Sequence, residues 1–300
     1  FVYPDARIEG VTIRDGWIRA QNATGAGLNV LHAQGMVATC IVTNNVFPDT
    51  GSWGGQKGAG IYVADSAVTI SNCVVRDNRV VSGWADSSFA AGIHLAHGGN
   101  VVNCIVTDNQ SISGSGSSLF SSTRAIGGGL YFGGDATVRN CLSARNEARD
   151  GYRPSVGDGV YVAAGTVALE NCTVADNLGE GVRQDGGAVT VNSAILWGNG
   201  VDATGTVAVA YSTVGVGAYT DDGGNLAADP RFIDAPAGDY RLDVRNASRS
   251  PAVNAGDPAA AEWMSGVIDL DGNPRLLNRR VDQGAYENPV SPGGTVLLLR

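Results

Sequence analysis

His94 lies in the motif Ala-Ala-Gly-Ile-His-Leu (residues 90–95), and related motifs elsewhere in the chain put Asn29, Tyr62, Tyr131, Tyr161 and Arg183 at the place of the histidine. A histidine between two phenols could act as base and acid in abstracting a proton from a sugar carbon. Arg124 or Arg183 would then face a uronate carboxylate, which makes His94 and Arg183 the candidate pair for a polysaccharide lyase. Hydrolysis would instead need two carboxylates roughly 5–10 Å apart, and no acidic pair recurs at these positions. His32 and His97 lack the partner spacing of a transition-metal site. The glycine-rich motifs precede no helical pattern, which excludes a dinucleotide fingerprint. Asp269-Leu-Asp271-Gly-Asn273 has the alternating oxygens and tight glycine turn of a calcium loop without its distal glutamate. Calcium is therefore the one cofactor the residues allow, with an Asp–Arg275 turn network as the alternative.

These residues are positioned by a repeat. Asn-Cys pairs open S-N-C-V-V-R-D-N, V-N-C-I-V-T-D-N, R-N-C-L-S-A-R-N and E-N-C-T-V-A-D-N, placing Cys73, Cys104, Cys141 and Cys172 eleven or twelve residues beyond each glycine motif. Cys40 opens a variant, and Ser193 is read as replacing the cysteine in V-N-S-A-I-L-W-G-N. A period near thirty residues fits coils of three short strands and one variable connection, stacked into a solenoid. Ile61, Val63, Val68, Ile70, Cys73 and Val75 alternate so as to point inward. Stacking in register puts equivalent residues about 4.8 Å apart, so the cysteines form a column of free, buried thiols rather than disulfides. Asn72, Asn103, Asn140, Asn171 and Asn192 are expected to form a ladder at a left-handed bend, with stacked amides. Asp77-Asn78, Asp108-Asn109 and Asp176-Asn177 read as turn formers.

The variable connections span residues 46–57, 79–89, 110–126 and 147–156. They carry Phe47, Trp53, Trp84, Phe89, Phe120 and Tyr152 among Ser and Gly, with Lys57, Arg79, Arg124, Arg149 and Arg153. Aromatic rings with polar neighbours suit sugar faces or a protein partner, or else pin the loops to the barrel. Beside them Tyr62, His94, Tyr131, Tyr161 and Arg183 are expected to face outward as an exposed ladder. The missing side chains of Gly60, Gly92, Gly129 and Gly159 would leave a shallow groove next to it.

The composition agrees with an all-β chain: 43 glycines, two methionines, 43% hydrophobic and 16% charged residues. A net charge of -9 argues against nucleic acid or an anionic membrane as partner. No stretch has the length of a membrane-spanning segment.

The G-x-G-I-Y and N-C-x-V-x-x-N motifs resemble the right-handed parallel β-helix repeats of pectin-lyase-like proteins and polymorphic outer-membrane adhesins. G-N-L-A-A-D-P-R-F, G-D-Y-R-L, S-P-A-V-N-A-G-D, D-L-D-G-N-P-R and V-D-Q-G-A-Y-E resemble the closing region of bacterial choice-of-anchor surface proteins. The resemblance implies a right-handed parallel β-helix of seven to eight coils and an extracellular or bacterial cell-surface location. The lyases of this fold typically use Lys or Arg with calcium, whereas Lys57 is the sole lysine here and sits in a variable connection. The expected organisation is coils over 1–220, a last coil and end cap over 221–288, and a hinge with terminal strand over 289–300, whose T-V-L-L-L-R could pair with a neighbouring molecule. The leading functional expectation is an adhesive, carbohydrate- or protein-binding surface protein. The alternatives are a lyase on acidic glycans and a subunit of a head-to-tail extracellular fibre.

Overall fold

The structure, a computed structural model, describes residues 6–31, 35–49, 55–65, 67–82, 87–113, 124–150, 156–245, 249–262, 264–277 and 280–289. Each turn of the chain contributes three short strands, and successive turns pair in parallel. The glycine motifs build a first face from Leu28–Val30, Ile61–Val63, Ile93–Leu95, Leu130–Phe132, Val160–Val162 and Glu180–Gln184. A second face runs from Arg7–Glu9 through Thr69–Ser71 to Ala188–Asn192. The ten-residue strand Val201–Ala210 belongs to both, joining them into one folded sheet of 15 strands. The third face, from Thr12–Arg14 to Thr213–Val214, is a sheet of 8 strands. Branched aliphatics alternate inward, and Ile61, Val63, Ile70 and Val75 are wholly buried. Two short 3-10 turns, Ala235–Ala237 and Pro258–Glu262, are the helical segments among the described residues. No helix there is long and apolar enough to cross a membrane.

The expected left-handed bend lies between the second and third faces, with φ of 51°, 52°, 52° and 50° at Asn72, Asn103, Asn140 and Asn171. The next rung departs from expectation by one residue. Asn192 ends a strand, and Ser193 takes the bend with φ 53°. Register pairs Glu170 with Asn192, so Ala194, not Ser193, fills the cysteine's place in the core. The five cysteines are free and buried, as expected. Burial pushes the Cys141 thiol up, and each sulfur donates to a backbone carbonyl, Cys40 to Ala38 at 3.1 Å for example.

Stacked amides occur at the other corner. Asn45, Asn78, Asn109, Asn146 and Asn177 each donate a backbone N–H and Nδ2 to Oδ1 of the asparagine one coil on, at 2.9–3.1 Å. Asn199 ends the column on the Asp202 carboxylate. Opposite this ladder stand the motif glycines. A Cβ on Gly129 would meet the Gly159 carbonyl at 2.6 Å and Asn146 Nδ2 at 2.8 Å, and Gly60, Gly92 and Gly159 are equally tight. The glycines admit the next coil's backbone and leave no groove, contrary to expectation.

Two further segments are ordered differently from expectation. The variable connections start as strands, Val46–Phe47, Arg79–Ser82, Gln110–Ser113 and Glu147–Asp150, in a separate parallel sheet. Two of them return through Ser88–Phe89 and Ala125–Ile126. Phe47, Val80, Ala26, Ala59 and Ala91 form a small core beneath them. From Phe232–Asp234 and its antiparallel partner Asp239–Leu242 onward, the chain lies along the third face rather than over the end of the stack. The reason is a set of outward apolar residues, Leu142, Ala144, Ala175, Ile195 and Trp197, which Tyr240, Phe232, Leu242 and Ala252 cover.

Candidate functional site

The period-two alternation of the first face turns Tyr62, His94, Tyr131 and Tyr161 to the side opposite the core, and parallel register stacks them. Their ring centroids are 5.2, 4.2 and 5.5 Å apart, with interplanar angles of 22°, 6° and 16°. Phe89, on the returning insert strand, stands edge-on to His94 at 6.3 Å and to Tyr131 at 5.9 Å, and Lys57 Nζ lies 5.5 Å over its ring. The ladder is thus not exposed: His94 is 3% and Tyr161 6% accessible, while Tyr62 and Tyr131 are half-buried. Burial, helped by the Lys57 charge, lowers the His94 pKa to about 3. The imidazole is neutral at physiological pH, and its Nδ1 is buried without a hydrogen-bond partner.

Arg183 closes the ladder among carboxylates. Its Nη1 bonds Glu180 at 2.8 Å and its Nη2 approaches Asp185 at 3.4 Å, while the Tyr161 hydroxyl donates to Asp185 at 2.8 Å. Burial works against the guanidinium charge but is outweighed by Glu180 and Asp185, so the group stays ionised. The Tyr161 hydrogen bond and Arg183 together hold the Asp185 carboxyl below its ordinary value. The structure brings His94 and Arg183 onto one column but separates them by two tyrosines. A buried neutral imidazole and a paired guanidinium do not make the accessible base and free cation that elimination requires.

Of the aromatic insert residues expected to bind, Trp53, Trp84, Phe120 and Tyr152 lie outside the described residues, as does the terminal strand 295–300. Asp269 is fully engaged in a turn. Its Oδ1 accepts the N–H groups of Asp271 and Asn273 at 2.9 and 2.7 Å, and its Oδ2 accepts Glu287 N–H and Asn273 Nδ2 at 2.6 and 3.2 Å. Both oxygens thus serve the turn itself, while the Arg275 guanidinium bonds the Asp282 carbonyl and not Asp269. Among the described residues no group of three His, Cys, Asp or Glu side chains is placed to hold a metal.

A feature missed in the sequence lies at the outer corner between the third face and the insert sheet. Asp15, Asn44, Asp77, Asp108 and Arg145 share the left-handed conformation, with φ between 52° and 60°. Two residues on, Trp17, Val46, Arg79, Gln110 and Glu147 form a second column through parallel pairing. Between the columns, from Asn44 and Val46 to Arg145 and Glu147, runs a polar groove of about 400 Å³. Arg145 grips Asp108 with two nitrogens at 2.9 and 2.7 Å, and Gln110 donates to Glu147 at 3.2 Å. The signal was present in the alignment of Asp-Gly-Trp-Ile (15–18) with Asn-Asn-Val-Phe, Asp-Asn-Arg-Val and Asp-Asn-Gln-Ser.

Coils of three parallel strands, an internal asparagine ladder and a sealed aromatic column define a right-handed parallel β-helix repeat protein. Residues 3–126 match the family model described as right handed beta helix region, and the same strand pattern continues to Thr213–Val214. Neither a curated protein nor a solved structure matches the chain.

Proposed function

We propose that this chain is an exported, non-catalytic binding solenoid with a pectin-lyase-like fold, which recognises glycan through its insert-bearing corner. The observation that carries this reading is the construction of the inserts. Their first strands are held in register with one another over a core of their own, so segments of unequal length are presented from a rigid edge, as binding loops are on other scaffolds. The ladder under them serves as a floor. An acidic surface with a single lysine is in keeping with export. A glycan array probed with the full chain tests the reading. Retention on a defined set of glycans, with no unsaturated uronide released from acidic ones, is the expected result. Release of such products would establish a lyase instead, and a blank array would end the glycan assignment.

A further inference from the structure

We infer that the polar groove at the outer corner takes an extended neutral polysaccharide, lying along the stack axis with one sugar against the Trp17 ring. This rests on the reading of the insert-bearing corner as a glycan-binding edge, and adds the site and the ligand class. Trp17 is 62% exposed, behind only Val216 and Leu178 among the exposed large apolar side chains of the described residues, and it is the one aromatic among them. Its orientation is fixed by the chain. Trp17 pairs with Val46 in parallel, and the next residue, Ile18, turns inward beside Phe47 in the small insert core. The indole therefore stands in the outward column one rung beyond Val46, where the groove's lining begins, and a flat, rigid apolar face with a polar edge there suits the apolar face of a pyranose.

Beyond Trp17 and Val46 the groove offers planar hydrogen-bonding groups, amide, carboxylate and guanidinium, from coil to coil on both walls. The repeat is the strand spacing, about 4.8 Å, which is comparable with the length of one sugar in an extended chain. Successive sugars would meet Asn44 and Val46, then Asp77 and Arg79, then Asp108 and Gln110. Among the described residues Arg79 is exposed and makes no ion pair, whereas Arg145 is held by Asp108. The carboxylates Asp15, Asp77, Asp108 and Glu147 are each paired with an arginine, Arg14, Arg76, Arg145 and Arg149, so Arg79 stands without a cluster of free guanidiniums to take a row of uronate carboxylates, and a hydroxyl-rich neutral chain suits the groove better. A protein partner would call for an apolar, fully desolvated centre, and only Trp17 and Val46 are apolar here.

Affinity electrophoresis of the full chain through gels containing xylan, mannan or mixed-linkage β-glucan, and through gels containing polygalacturonate or alginate, decides the matter. Expected are retardation by at least one neutral polysaccharide, none by the acidic ones, and a loss of apparent affinity of about tenfold in both Trp17→Ala and Arg79→Ala. Both side chains are exposed, so thermal unfolding of the variants should match the parent and exclude misfolding. Retardation that both variants retain would overturn the groove while leaving glycan binding in place. Retardation by the acidic gels alone would overturn the ligand class, and free passage through every gel would remove the inference together with the reading beneath it.

Discussion

Arg275 is wholly buried, with Nη2 donating to the Asp282 carbonyl at 2.9 Å and Nε 3.9 Å from Glu287 Oε2. Burial, together with the charge of Asp282, pushes the Glu287 pKa up to about 8 although Arg275 opposes it. Unfolded, the same carboxyl titrates near its ordinary value of about 4.3. The folded state therefore binds more protons between those values, and its stability is full below the unfolded pKa and falls as pH rises through about 8. Urea midpoints should drop between pH 5 and pH 9 in the parent and much less in Glu287→Gln; an equal drop in both would show that another group is responsible. Asn109 carries a different load, since its amide serves the coils on either side. Asn109→Ala strands buried donors of Asn78 and should cost about 3 kcal/mol in chemical denaturation. Gly129→Ala drives a methyl into the Gly159 carbonyl and should cost roughly as much or more.

At the scale of elements, the coils were legible in the sequence because each repeats the same inward alternation and the same glycine-to-asparagine offset. Asn72 and its equivalents hold the left-handed bend as expected, with Asn103 Nδ2 reaching Asn72 Oδ1 at 3.4 Å, but the continuous amide ladder belongs to Asn78 and its equivalents, whose inward amides residue type alone does not reveal. The candidate site was less legible. Alternation correctly placed Tyr62, His94 and Tyr131 off the core, yet their cover, Phe89, comes from a connection whose path no periodicity fixes. The flanking C-terminal segment left a trace that is visible in hindsight: the last residues of the third strands change from Thr43, Arg76 and Thr107 to Ala144, Ala175 and Trp197 as the covered coils begin. Tyr240 anchors that segment, packing on Phe232 and donating to Asp176 at 3.0 Å, with Arg145 beside its ring. Tyr240→Ala should cost roughly 3–5 kcal/mol of docking and packing. Limited proteolysis should then cut between residues 230 and 289 while leaving the coils intact; unchanged cleavage would mean that the flank is held elsewhere.

Across the whole molecule, each coil touches mainly its neighbours, so stability is distributed as a sum of rungs and interfaces. The flank covers later coils, bonding to Asn140, Asn171, Thr173 and Ser193. Among the described residues nothing covers the first rungs in this way, and Ile8 and Ile13 are only partly buried. Amide exchange should accordingly be faster across Arg7–Glu9 and Ile41–Thr43 than across Leu142–Ala144 and Thr173–Ala175; uniform protection would indicate one cooperative unit.

The column of five buried thiols gives this gradient a chemical clock. An alkylating reagent can reach a sulfur only when its own rung opens, so the order of labelling would record the direction of fraying, with Cys40 ahead of Cys141 and Cys172.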